Sequence, residues 1–111
     1  MKEPLNNLWA IQLNNTNKVI GWIELHSPID NIHVNSKEIG FVLSEKYWGQ
    51  GLMPEAINCI VTYSFQKLNI TSLICSHFKE NAQSKRVIKK CNFKYDCEFQ
   101  NKYYYILKNK S

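Results

Sequence analysis

Gly49 and Gly51, separated by one residue, stand between a strand-like run, Ile39-Gly40-Phe41-Val42-Leu43, and a helical one, Ile57, Ile60, Val61, Ser64, Phe65 and Leu68. Glycines so placed let backbone N–H groups converge on an anion at a helix N-terminus, where the helix dipole also favours negative charge. A side chain at either position would obstruct that approach. The block Tyr47-Trp48-Gly49-Gln50-Gly51-Leu52-Met53-Pro54-Glu55-Ala56 therefore reads as a pyrophosphate cradle. A G-x-G alone serves a tight strand-to-helix turn equally well. No Gly-Lys-Ser/Thr follows, and Pro54 stands where a third dinucleotide-loop glycine would be, so nucleoside triphosphates and dinucleotides are disfavoured.

The elements that must position this loop read as follows. Leu8 to Leu13 and Val19 to Leu25 are strands around the Asn14-Asn15-Thr16-Asn17 turn, and so form a hairpin. Residues 26–37 read as a polar loop, and Glu38 to Leu43 as a third strand. A helix follows the glycines to about Leu68. Ser72 to His77 is a short buried strand, and Asn81 to Cys91 a second helix. Asn81 suits its N-cap, Lys89 and Lys90 suit its last turn, and Asn92 suits a left-handed residue after it. Phe93-Lys94-Tyr95 and Tyr103 to Leu107 are closing strands, the tyrosine run being expected on an alternating edge strand. The order β-β-β-α-β-α-β-β predicts an α+β fold, one mostly antiparallel sheet with helices packed on it, rather than a doubly wound sheet.

The 111 residues predict a single domain, 1–111, with one core. Hydrophobic residues are 44% and charged residues 21% of the chain, ordinary for a globular protein. No apolar run reaches the roughly 18 residues of a membrane helix. The start, Met-Lys-Glu-Pro-Leu-Asn-Asn, lacks a secretory apolar stretch, so the expected location is the cytoplasm. Cys59, Cys75, Cys91 and Cys97 form no C-x-x-C, so neither zinc nor a disulfide framework is expected, and Cys59, Cys75 and Cys91 read as buried thiols. The net charge of +5 fits a polyanionic ligand. Nucleic acid is disfavoured, because the basic residues are scattered apart from Lys85, Arg86, Lys89 and Lys90.

Two separated motifs then agree. Gly49-Gln50-Gly51-Leu52-Met53 with Glu55-Ala56 resembles the acetyl-CoA loop of the GNAT N-acetyltransferases. Asn81 to Phe93 resembles the second GNAT block, N-x-x-S-x-x-V-x-x-K-x-G-F. Trp48 before the loop is similar to the ribosomal-protein N-terminal acetyltransferase branch, and the resemblance covers residues 8–107. It implies direct transfer of an acetyl group from acetyl-CoA to an amine acceptor, a protein N-terminus or a small amine. By the resemblance, the N–H groups of Gln50, Gly51, Leu52 and Met53 hold the pyrophosphate, with Gly49 shaping the turn. The backbone of Phe41, Val42 and Leu43 pairs with the pantetheine arm, and one N–H there polarises the thioester carbonyl. Asn81 bonds the arm, and Arg86 or Lys90 meets the ribose phosphate.

Many GNAT enzymes carry a tyrosine acid where this chain has Ile88. Ser84, one turn into the helix, is the candidate to protonate or hydrogen-bond the departing thiolate. Glu38 is the first candidate base, before Glu24 and His77. Family members normally begin with a strand and two helices that help form the acceptor groove, whereas this chain starts almost at the hairpin. Trp9, Ile11, Trp22 and Ile23 are therefore expected to lack cover, which a homodimer would supply. A truncated, non-catalytic CoA-binding module is the alternative function.

Overall fold

The computed structural model describes residues 7–14, 16–28 and 35–109. Among them, six strands form one sheet: β1 (Leu8–Gln12), β2 (Val19–His26), β3 (Ser36–Leu43), β4 (Ser72–Phe78), β5 (Lys94–Phe99) and β6 (Lys102–Lys108). Helices α1 (Leu52–Lys67) and α2 (Ala82–Lys90) follow β3 and β4. The α+β order expected from sequence is the observed one. Of the loop expected over 26–37, His26 ends β2, Ser36 and Lys37 begin β3, and residues 29–34 lie outside the described residues. No helix among the described residues is long and apolar enough to cross a membrane.

The sheet order is β1-β2-β3-β4-β6-β5. All neighbours are antiparallel except β3 and β4, which run parallel from Ser36–Ser72 to Ile39–Cys75. A parallel pair needs a crossover, and α1 supplies it. Met53, Ile57, Ile60 and Ser64 recur at helical spacing and are buried. They join Val87, Ile88 and Cys91 around one face of the sheet, where Trp9, Ile23, Leu25, Ile39, Leu73, Cys75 and Tyr105 project. All of these except Ser64 form the apolar core.

Strand alternation decides which hairpin residues are covered. Trp9 and Ile23 face the helices and are buried, Trp9 meeting Tyr63 edge-on at 5.6 Å between centroids. Ile11 is partly buried on the same side. Of the four residues expected to be bare, only Trp22 is exposed, because it points to the opposite face.

Three further expectations are corrected. Cys59 is exposed, since it falls between the buried positions Ile57 and Ile60 on the solvent side of α1. The tyrosine run is not an edge strand: β6 lies between β4 and β5, so Tyr104 and Tyr105 are buried. β5 takes the edge, starts at Lys94 and runs four residues beyond the expected Phe93–Tyr95 stretch. Its register shifts between Tyr95 and Cys97, and every residue in it is exposed, so it carries no alternating pattern to read. The β5–β6 turn is a two-residue one with both Gln100 and Asn101 at positive φ.

Candidate active site

β3 and β4 part company after the Ile39–Cys75 pair. β3 continues to Leu43 on β2, and β4 continues to Phe78 on β6. A cleft of about 160 Å³ opens between them. Phe41, Val42 and Leu43 form one wall, Asn81, Gln83, Ser84 and Val87 another, and Trp48 and Met53 complete it. The Ser44 N–H bonds the Ile20 carbonyl, and antiparallel alternation then turns the backbone of Val42 towards β2. The polar groups of Phe41 and Leu43 therefore face the opening. The Trp48 indole N–H takes the Leu43 carbonyl at 2.8 Å. That leaves the Phe41 N–H and C=O and the Leu43 N–H as the strand edge an extended ligand can meet.

Two helix N-termini border this cleft. Gly51 is the N-cap of α1 at φ 77°, and no side chain caps that end. Gly49 has the same φ, and a Cβ built on either glycine meets nothing within 4 Å. Glycine is thus required here for its left-handed backbone, and the space around it is open to a ligand. Pro54 lies in the first turn, where its missing N–H breaks no helix bond. At α2 the cap is made: the Ser84 N–H donates to Asn81 Oδ1 at 3.0 Å. The capping geometry read for Asn81 is therefore present, and so is the left-handed Asn92 at φ 67°. An uncapped helix end in open space beside a bare strand edge fits the phosphates and the arm of acetyl-CoA.

The other candidates fall outside the lining. Glu38 is buried in the paired part of β3, three residues before Phe41. Arg86 is exposed, and its guanidinium donates to Gln83 Oε1 at 3.0 Å. Ile88 is fully buried in the core, so its position is closed to the cleft. His77 is also buried, with Nδ1 2.7 Å from the Phe78 carbonyl and Nε2 3.0 Å from the Tyr105 hydroxyl. Trp48, Gln83 and Val87 are lining residues that sequence reasoning did not assign. Trp48 was in the motif, but only the fold shows its indole bonded to β3. No group of three or more His, Cys, Asp or Glu side chains able to hold a metal occurs among the described residues.

Behind the cleft, the Cys91 thiol is 3.8 Å from the Pro54 carbonyl and ties the end of α2 to the first turn of α1. Burial pushes this thiol up to about 11 from an ordinary 9.0. Burial pushes Cys75 higher still, with the Glu38 and Cys91 charges adding to it. A raised folded-state value stabilises the fold below pH 9, and the Cys91 contribution is lost as pH rises from 9 to about 11. Native protein at pH 8 should therefore show two fast thiols, Cys59 and Cys97, in a colorimetric thiol titration, and four after unfolding. Fast native reaction of Cys75 or Cys91 would contradict this packing.

A family model for the acetyltransferase (GNAT) domain matches residues 2–94. The chain belongs to the GNAT acetyltransferase family. This GNAT chain is 29% identical over 85 residues to the uncharacterized N-acetyltransferase YoaA of Bacillus subtilis, covering 77% of the chain and 47% of YoaA. It superposes on the GNAT-family acetyltransferase of Bacillus anthracis with a TM-score of 0.78 at 25% identity, over 92% of this chain and 66% of that one. It also superposes on Campylobacter jejuni N-acetyltransferase PseH in complex with acetyl coenzyme A, with a TM-score of 0.65 at 26% identity, over 82% and 60% of the two chains. The chain spans about half the length of the curated relatives it matches, 38% to 48%.

Proposed function

We propose that this GNAT chain binds acetyl-CoA in the β3–β4 cleft and promotes transfer of the acetyl group to an amine, a protein N-terminus or a small amine. One observation carries the reading: a bare strand edge at Phe41 and Leu43 lies beside an uncapped, glycine-led helix N-terminus. When bound, the thioester supplies an activated acyl group. The amides of Gln50, Gly51, Leu52 and Met53 meet the pyrophosphate, and an N–H of the β3 edge polarises the carbonyl. An ammonium acceptor gives up two protons in all. One goes to a base or to water, and one ends on sulfur as the C–N bond forms and the C–S bond breaks. Glu38 and Glu24 are the carboxylates on the outer face of β2 and β3 for the first of these. Arg86 gives one N–H to Gln83 and keeps the rest of its guanidinium for a ribose phosphate.

Ser84 is the hydroxyl in the lining, and it serves the departing sulfur. Ser84→Ala should lower kcat about tenfold while calorimetric affinity for acetyl-CoA stays unchanged. An unchanged kcat would return Ser84 to an ordinary first-turn serine. The second reading, a CoA-binding module without catalysis, is favoured by the buried Ile88 at the position of the usual acid. Tight binding without any acetylated product across a peptide and amine panel would establish it.

A further inference from the structure

The outer face of β1, β2 and β3, away from the helices, carries an apolar patch around one carboxylate. Direct cross-strand partners share a face, so Leu8 and Gly40 flank Glu24, and Ala10 and Val42 flank Trp22. Leu8, Trp22 and Val42 are 46%, 43% and 47% exposed. Glu24 is half-buried among them. Its carboxylate lies over Gly40: a Cβ there would sit 3.0 Å from Glu24 Oε1. Gly40 is the first residue of β3 beyond the last β4 pair, so this carboxylate stands at the root of the opening. Among the described residues no hydrogen bond or ion pair holds it. Val42 belongs both to this patch and to the cleft lining, which makes the two surfaces continuous.

We propose that this patch is the acceptor subsite and that Glu24 receives the ammonium of a primary amine whose neighbouring atoms are hydrocarbon. The inference rests on the cleft being the acetyl-donor site. A half-buried carboxylate without a partner favours a cation, and the Trp22 ring adds an aromatic face beside it. Its apolar frame of Leu8, Trp22 and Val42 matches carbon rather than further charge. Such a subsite selects an apolar monoamine, or a chain terminus with an apolar first residue, over a zwitterion whose carboxylate sits next to its amine.

The probe is 2-phenylethylamine, compared with glycine and with a polyamine, on the full chain. The first readout is the indole N–H resonance of Trp22, identified with Trp22→Phe, in the absence of acetyl-CoA. 2-Phenylethylamine should shift it, and Glu24→Gln should weaken that binding at least about tenfold. The second readout is acetylation. Glu24→Gln should raise KM for 2-phenylethylamine by a similar factor, with acetyl-CoA affinity unchanged. Trp22→Ala should raise KM for 2-phenylethylamine more than for the polyamine. A Trp22 shift abolished by Glu24→Gln in a protein that acetylates nothing would uphold this subsite while refuting acetyl transfer. Unchanged amine binding in Glu24→Gln, a preference for glycine, or burial of Trp22 by a second copy in solution would overturn the proposal.

Discussion

Gly51→Glu should weaken acetyl-CoA binding at least about a hundredfold. The loss is electrostatic. A carboxylate within about 4 Å of a phosphate meets a like-charge repulsion of about 4 kcal/mol at an effective dielectric of 20. The strain of a side chain at φ 77°, about 1–2 kcal/mol in the left-handed region, falls on the free and the bound protein alike and so on stability. Gly51→Ala separates the two. Its Cβ would meet nothing within 4 Å, so it should lose stability by about 1 kcal/mol and keep most of its affinity. Calorimetry on the three proteins decides between shape and charge. A Gly51→Glu protein that binds as the parent does would move the phosphates away from α1.

Gly21→Ala should cost about 3 kcal/mol of stability, read as a fall in the urea midpoint. Gly21 faces the core side of β2, and a Cβ there would lie 2.2 Å from the Val42 carbonyl oxygen and 3.0 Å from the Leu43 Cα. Those are backbone atoms and cannot rotate aside. The relief is a shift of β3, which moves the cleft wall and should lower acetyl-CoA affinity as well. Gly40→Ala is the contrast, because its near neighbour is the end of the Glu24 side chain, which can swing away. It should cost about 1 kcal/mol or less and affect amine binding instead. Equal urea midpoints for the two variants would show that the β2–β3 contact at Gly21 yields easily.

The features that were readable in the chain are those set by a few adjacent residues. The left-handed glycines, the Asn81 cap and the left-handed Asn92 each follow from local backbone preference, and all are present. The amphipathic spacing of α1 was equally local. What escaped depends on pairings distant in sequence. Nothing in Phe41-Val42-Leu43 announces that β4 stops pairing after Cys75, yet that break makes the cleft. The insertion of β6 between β4 and β5 turned an expected edge into a buried strand, and no residue of the tyrosine run encodes that order. Ile88 was readable as a missing acid but not as a fully buried core residue. Glu24 gained its place over Gly40 from the β2–β3 register alone.

The parallel seam between β3 and β4 has a consequence for how the molecule assembles. β1 to β3 pair across short turns, whereas each of the four pairs from Ser36–Ser72 to Ile39–Cys75 joins residues 36 apart. Closing that register fixes the ends of the segment 44–71, so forming the seam costs the closure entropy of that loop. Extending the seam through Phe41 and Leu43 would add rungs and stability, and would also zip the cleft shut. The short seam is thus a compromise between cooperative folding and an opening wide enough to admit a ligand.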